Sequence, residues 1–330
     1  MPGIFLTHSP DMLANYYGDR ALAALREQGD VRLNRTGRVL DDPLLLAREV
    51  GDAAIVVADR QTPGPAAFFD AAPDVVAFCR VAVDIRNIDV EAASRHGVLV
   101  TRATPGFIAS VSELAVGFMV DLARGISTAV GRYRGGEPVR VQPGRQLQGA
   151  SLGIVGYGAI GERLAELGLA LGMTVLVHDP YRQIAPPLRQ AEFSELLGAA
   201  DFVVCLAVAT ESTENLFGEA AFAAMRRGAY FINLSRGNLV DEAALERALE
   251  ERRIAGAAMD VGRAQDQMPS PQLARRADVV ATPHIGGLTP QAAEHQAFDS
   301  VHQVAALVRG EVPPGAVNAE AAHRLSRLRP

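Results

Sequence analysis

Short apolar runs alternate with segments whose apolar residues recur at helical spacing along nearly the whole chain. That alternation is the pattern of parallel strands covered by helices, so the fold class it predicts is α/β. In the first hundred residues the runs Gly3–Leu6, Ala53–Ala58, Val75–Cys79 and Val98–Thr101 predict strands, and Asp11–Gln28, Pro43–Val50 and Asp89–His96 predict helices. A long helix is expected over Ser110–Arg124, where Val111, Leu114, Phe118 and Leu122 share one face. The stretch Gly131–Gly149, rich in Gly, Arg and Pro, reads as a loop. Strands are then expected at Ser151–Val155, Met173–His178, Asp201–Leu206, Ala229–Leu234, Gly256–Val261 and Val279–Ala281. A last helix starts at Thr289-Pro290, a cap followed by proline in the first helical position, and stops at Gly310.

Between the strand at Ser151–Val155 and a helical repeat of Ile160, Leu164, Leu167 and Leu171 lies Gly156-Tyr157-Gly158-Ala159-Ile160-Gly161. Glycines at a strand-to-helix turn let the backbone approach a pyrophosphate, which then sits at the helix N-terminus. Asp179 ends the next strand, near the spacing of an acid that accepts the ribose hydroxyls of NAD. Because this unit begins only after a complete α/β unit, the simplest architecture is a Rossmann-type doubly wound parallel sheet, residues 104–285, inserted into a smaller flavodoxin-like α/β substrate domain made of 1–103 and 286–330.

The 38 acidic and 32 basic residues give a net charge of −6 and no basic block, which disfavours nucleic acid and favours a small-molecule partner. The richest apolar stretch, Leu114–Ala123, contains Asp121 and is too short for a bilayer, and the first residues lack the layout of a signal peptide. Cys79 and Cys205 lie in apolar strand runs without metal-ligand spacing. These features predict a cytoplasmic protein with reduced thiols, no membrane association and no metal.

In an open parallel sheet the ligand sits beyond the carboxyl ends of the strands. That filter selects Asp179, Thr210, Ser235-Arg236-Gly237, Asp260 and Pro283-His284-Ile285-Gly286-Gly287. An arginine fork can hold a carboxylate and polarise a keto oxygen, and an imidazole can exchange the hydroxyl proton during hydride transfer. Taken singly, Arg236 reads as a solvated arginine, His284 as a turn histidine and Asp260 as a cap. Their shared place behind a cofactor turn favours the catalytic reading.

The same residues resemble the D-isomer-specific 2-hydroxyacid dehydrogenases, which include phosphoglycerate, D-lactate and hydroxypyruvate enzymes. The likeness runs from Asn87-Ile88-Asp89-Val90 and Ser110–Leu114 through the glycine turn, Met225–Ala229, Ile232–Gly237, Val240-Asp241-Glu242 and Thr282–Gly287. It implies an NAD-dependent D-2-hydroxyacid dehydrogenase or 2-ketoacid reductase, with Arg236 polarising the substrate and His284 as acid/base. It also implies that Asp260, Gly286 and Gly287 lie near the nicotinamide end, and that Arg80, Val81, Ala82 and Val83 offer backbone N–H groups to the substrate carboxylate. Members of the family are usually homodimers paired through their cofactor domains.

Where the family has the glutamate that pairs with its histidine, this chain has Gln265, followed by Asp266. Either side chain is then a candidate partner of His284, and a glutamine would favour a neutral ring acting as base. Formate dehydrogenases of the superfamily also use glutamine here, which leaves formate or phosphite oxidation as an alternative chemistry, and a non-catalytic NAD-sensing protein as an alternative from another class. Leu206 and Val208 replace the histidine and proline common beside the cofactor, and Arg80 is either a second anion contact or a surface arginine.

Overall fold

The computed structural model describes residues 2–138 and 143–328, which form two compact units. One unit comprises Met1–Phe107 and Leu288–Pro330, the other Ile108–Gly287.

The first unit is built from β1 (Gly3–Leu6), α1 (Pro10–Tyr16), α2 (Asp19–Arg26), β2 (Asp30–Leu33), α3 (Pro43–Val50), β3 (Ile55–Ala58), α4 (Ala66–Ala71), β4 (Ala77–Arg80), α5 (Val90–Arg95) and β5 (Leu99–Arg102). Its strands pair in parallel in the order β2-β1-β3-β4-β5, the flavodoxin-like order. Successive side chains of a strand point to opposite faces, and both faces are covered. Ile4, Leu6, Ile55, Val57, Ala77 and Cys79 pack on one side, with α2 and the later helix that carries Ala297, Val301 and Val304. Phe5, Val56, Ala58 and Phe78 pack on the other, against Leu46, Phe68, Phe69 and Ala92.

The second unit holds α6 (Ile108–Arg124), α7 (Ile126–Arg134), β6 (Ser151–Val155), α8 (Ala159–Ala170), β7 (Thr174–His178), β8 (Arg189–Gln190), α9 (Phe193–Ala199), β9 (Phe202–Cys205), α10 (Glu219–Ala224), β10 (Tyr230–Asn233), α11 (Glu242–Glu250), β11 (Gly256–Met259), α12 (Pro271–Ala274) and β12 (Val279–Ala281). The chain then returns to the first unit as α13 (Pro290–Val308). The seven strands, all parallel, run β12-β11-β10-β9-β6-β7-β8, so the order reverses between β6 and β9, the doubly wound topology. Phe217, Phe222 and Phe231 centre a core shared by α9, α10 and α11.

Several elements differ from the sequence reading. The helix expected over Asp11–Gln28 is two helices, because Gly18 at φ +83° turns the chain and the Gly18 N–H bonds back to the Leu13 carbonyl. β2 and α4 were not anticipated: β2 is a half-exposed edge strand, and α4 is one short segment that buries Phe68 and Phe69. The loop expected over Gly131–Gly149 begins as α7, which follows a left-handed Gly125; residues 139–142 lie outside the described residues. No single helix among the described residues is long and apolar enough to cross a membrane; α6 and α7 together reach the length but bend by 66°.

Candidate active site

The turn after β6 is shaped by what a side chain would strike. Gly156 has φ +100°, and a Cβ there would lie 2.5 Å from the Ala207 nitrogen after β9, so only glycine lets the turn lie across the point where strand order reverses. A Cβ at Gly158, by contrast, would meet nothing within 4 Å: the cradle is open where α8 begins. Gly158 caps α8 without a side chain, so the first-turn N–H groups of Ala159, Ile160 and Gly161 face that opening. Asp179, after β7, accepts the N–H of Tyr157 at 2.7 Å and of Tyr181 at 2.8 Å, one on each oxygen. It thereby ties the glycine turn to the neighbouring strand end. This open cradle, helix terminus and acid fit a dinucleotide. Thr210 lies beyond β9, exposed, in a capping box with Thr213.

The end of β10 positions the arginine. Asn233, fully buried, donates to the Arg236 carbonyl at 3.0 Å and accepts the Ser235 N–H at 3.1 Å. The Ser235 hydroxyl donates to the Ala207 carbonyl at 2.5 Å, joining this segment to the β9 loop. Arg236 is half-buried and donates to the Ser235 carbonyl at 2.8 Å. Gly237 has no room for a side chain, since a Cβ would overlap the backbone of Gly262. The segment after β11 therefore abuts the residue that follows Arg236.

His284 is held by Asp260, which is 3% exposed. Its Oδ1 accepts the Thr282 hydroxyl at 2.6 Å and the Ile285 N–H at 2.8 Å, and its Oδ2 accepts the Gly286 N–H at 2.7 Å. Asp260 thus clamps the turn on both sides of the histidine, a task its expected place near the nicotinamide did not suggest. His284 itself has φ +57°, a left-handed conformation that costs a non-glycine residue roughly 1–2 kcal/mol and persists where the surroundings dictate it.

The partner of the histidine differs from both side chains expected. Nδ1 of His284 lies 2.9 Å from the main-chain carbonyl oxygen of Asp266. A carbonyl only accepts, so Nδ1 carries the proton, and in the neutral ring Nε2 keeps the lone pair. Gln265, exposed, opens the short helical turn Gln265–Gln267 that presents this carbonyl.

In the first unit Arg80 is not a surface arginine. It ends β4 with 0% exposure. Its guanidinium donates to the Asp59 carbonyl, to the Thr62 carbonyl at 2.8 Å and to Asn87 Oδ1 at 2.7 Å. Burial lowers its pKa to about 10, so it stays charged near neutrality. The Asp59 carboxylate beside it takes the hydroxyls of Thr7 and Thr62, each at 2.6 Å. Val81 donates its N–H to Ala58 in the sheet, which leaves Ala82 and Val83 as the backbone donors of this loop. Below it sits His8, packed edge-on against Tyr17 with ring centroids 5.0 Å apart. Burial pushes the His8 pKa down to about 4, opposed by Asp59 and aided by Arg80.

Among the described residues no group of three or more His, Cys, Asp or Glu could hold a metal ion. The pieces that sequence reading missed, the Asp260 clamp and the Asp266 carbonyl, carry only a faint signal: Thr282 and Gly286 flanking the histidine, and two polar residues in a loop.

Residues 116–286 match the family model described as D-isomer specific 2-hydroxyacid dehydrogenase, NAD binding domain. The chain is 32% identical over 299 residues to the (S)-sulfolactate dehydrogenase of Chromohalobacter salexigens, covering 89% of this chain and 96% of that one. It is also 32% identical over 321 residues to D-3-phosphoglycerate dehydrogenase 2 of Arabidopsis thaliana, covering 95% of this chain and 51% of that one, so it spans about half the length of that relative. The D-lactate dehydrogenase of Lactobacillus jensenii, solved with NAD+, shares the fold at TM-score 0.82 and 24% identity, over 96% of this chain and 99% of that one. The chain belongs to the D-isomer specific 2-hydroxyacid dehydrogenase family and carries that family's NAD-binding domain.

Proposed function

We propose that the protein is an NAD-dependent oxidoreductase that interconverts a D-2-hydroxy acid and its 2-keto acid. The observation that carries this reading is the placement of Arg236 and His284 at the carboxyl ends of one sheet that also bears the glycine turn, with the His284 Nδ1–H committed to the Asp266 carbonyl. The Arg236 guanidinium grips the carboxylate and draws electron density from the keto oxygen. Nε2 of His284 takes the hydroxyl proton in oxidation and returns it in reduction. When bound, the nicotinamide accepts or supplies the hydride at the substrate C2. Gly156 to Gly161 and Asp179 hold the dinucleotide, with Thr210, Ser235, Gly286 and Gly287 along its path. The charge of Asp179 favours NAD, because it repels a 2′-phosphate. Ala82 and Val83 supply N–H groups for the substrate carboxylate.

The substrate is a small 2-keto or 2-hydroxy acid, and two relatives act on acids with a second anionic group, by their names sulfolactate and 3-phosphoglycerate. The test is NADH oxidation with a panel of 2-keto acids, neutral, sulfonated and phosphorylated, followed by chiral analysis of the product. A D-2-hydroxy acid is expected. NADH binding without turnover on any of them would favour the NAD-sensing role instead.

We further place the protein in the cytoplasm as a homodimer. Supporting the first are Cys79 and Cys205, unpaired and buried in different units, as suits a reducing compartment. Supporting the second is α7, where Ile126, Val130 and Tyr133 are 45%, 41% and 81% exposed. Light scattering should give twice the chain mass, and Val130→Glu should lower it to one.

A further inference from the structure

We propose that the group which orients His284 is the main-chain carbonyl of Asp266, presented by a left-handed backbone at Asp266 and Gln267. The inference rests on the acid/base role given to His284 above. Three left-handed non-glycine residues, Asp266 at φ +55°, Gln267 at φ +59° and His284 at φ +57°, meet around one hydrogen bond. Such conformations are uncommon outside glycine, and their convergence marks a segment whose backbone is dictated by what it must present.

The loop is stitched to hold that shape. Gly262 N–H bonds the Gln267 carbonyl at 2.7 Å, Ala264 N–H the Met268 carbonyl at 3.0 Å, and Met268 N–H the Gln265 carbonyl at 3.2 Å. These bonds turn the Asp266 carbonyl away from the loop and toward the ring. The side-chain oxygen of Gln267 is buried without a hydrogen-bond partner, so the loop tolerates an unsatisfied polar atom to keep this path.

Arg263 then fixes the loop to the segment that carries the catalytic arginine. Its guanidinium donates to the carbonyls of Val240 and Asn238, each at 3.0 Å, and to Glu214 at 2.9 Å, and its N–H bonds Glu242 at 3.0 Å. With Gly237 packed on Gly262, the presentation of His284 and the placement of Arg236 become one rigid piece. Asp266 is thus a positioning residue through its backbone. Asn and Gly, which tolerate left-handed geometry, should replace it; a β-branched residue should not.

The experiment reads the histidine directly. Protein labelled with ¹⁵N-histidine, in alkaline solution where free imidazoles are neutral, should give for His284 a protonated Nδ1 and an unprotonated Nε2, its signals assigned by their loss in His284→Gln. Asp266→Asn and Asp266→Gly should keep this pattern and most of kcat. Asp266→Val should mix the two tautomers and lower kcat by about 10–100-fold with little change in NADH affinity, by analogy with the loss of a group that orients a metal-bound histidine. An Nε2-protonated ring in the native protein overturns the proposal, as does Asp266→Val with an unaltered spectrum. The spectrum stands even if Asp266→Val does not fold. Because it needs no substrate, failure of every keto acid to turn over would count against the catalytic reading and leave the tautomer result intact.

Discussion

The buried histidine of the first unit should make that unit sensitive to mild acid. His8 is 2% exposed, and its pKa of about 4 lies below the ordinary imidazole value of 6.5 because burial penalises the charged ring. Protonation therefore favours the unfolded chain. The stabilisation from a neutral buried ring is complete above the unfolded value of about 6.5 and is lost as pH falls toward 4. Worked between pH 8 and pH 5, the shift amounts to about 2 kcal/mol of lost stability, at roughly 1.4 kcal/mol per unit of pKa difference. His8→Phe keeps the aromatic contact to Tyr17 and removes the titration. Cys79 and Cys205 are fully buried, one in each unit, so their labelling by dipyridyl disulfide in urea, which proceeds in acid, reports the two units separately. The protection of Cys79 should fall by about 2 kcal/mol more in the native protein than in His8→Phe between the two pH values. Titrating groups out of reach of His8, which faces Asp59 and Arg80, are common to both proteins and cancel. Equal acid losses in the two proteins would refute the reasoning.

Three further outcomes follow from the site. Gln265→Glu should leave kcat within about twofold, because the His284 Nδ1–H already bonds the Asp266 carbonyl; a gain of about tenfold would mean that a side chain at 265 reaches the ring. Gly156→Ala adds about 1–3 kcal/mol of backbone strain and a collision with Ala207, so NADH affinity measured by fluorescence titration should fall by about 10–100-fold. Arg263→Gln removes the tie between the loop and Asn238 and Val240, and should reduce kcat about tenfold while NADH affinity holds.

How far the sequence carried depended on whether the signal was local. β1, β6 and β12 are each a short apolar run closed by polar or glycine residues, and their observed bounds coincide with the expected ones. The glycine turn and the acid after β7 were legible because backbone geometry demands those residue types. β2 escaped because an edge strand buries too little to show an apolar run. The break at Gly18 was hidden inside a helical repeat that continues on both sides of it.

Arg80 was misread for a different reason. A strand-end arginine looks solvent-facing until Asp59 and Thr62, 21 and 18 residues earlier, and Asn87, 7 residues later, capture it. The acceptor for His284 could not be read at all, since it is a main-chain atom that every residue possesses. What the sequence did mark was the departure from the expected glutamate, at Gln265, one residue from the carbonyl that performs the task.

In the proposed function His284 exchanges the substrate proton while Arg236 holds the acid. With the 2-keto acid that turns over best, kcat/KM for His284→Ala and for Arg236→Ala should each drop by at least about 100-fold, with the NADH dissociation constant unchanged from the native protein. Turnover retained in either variant would contradict it.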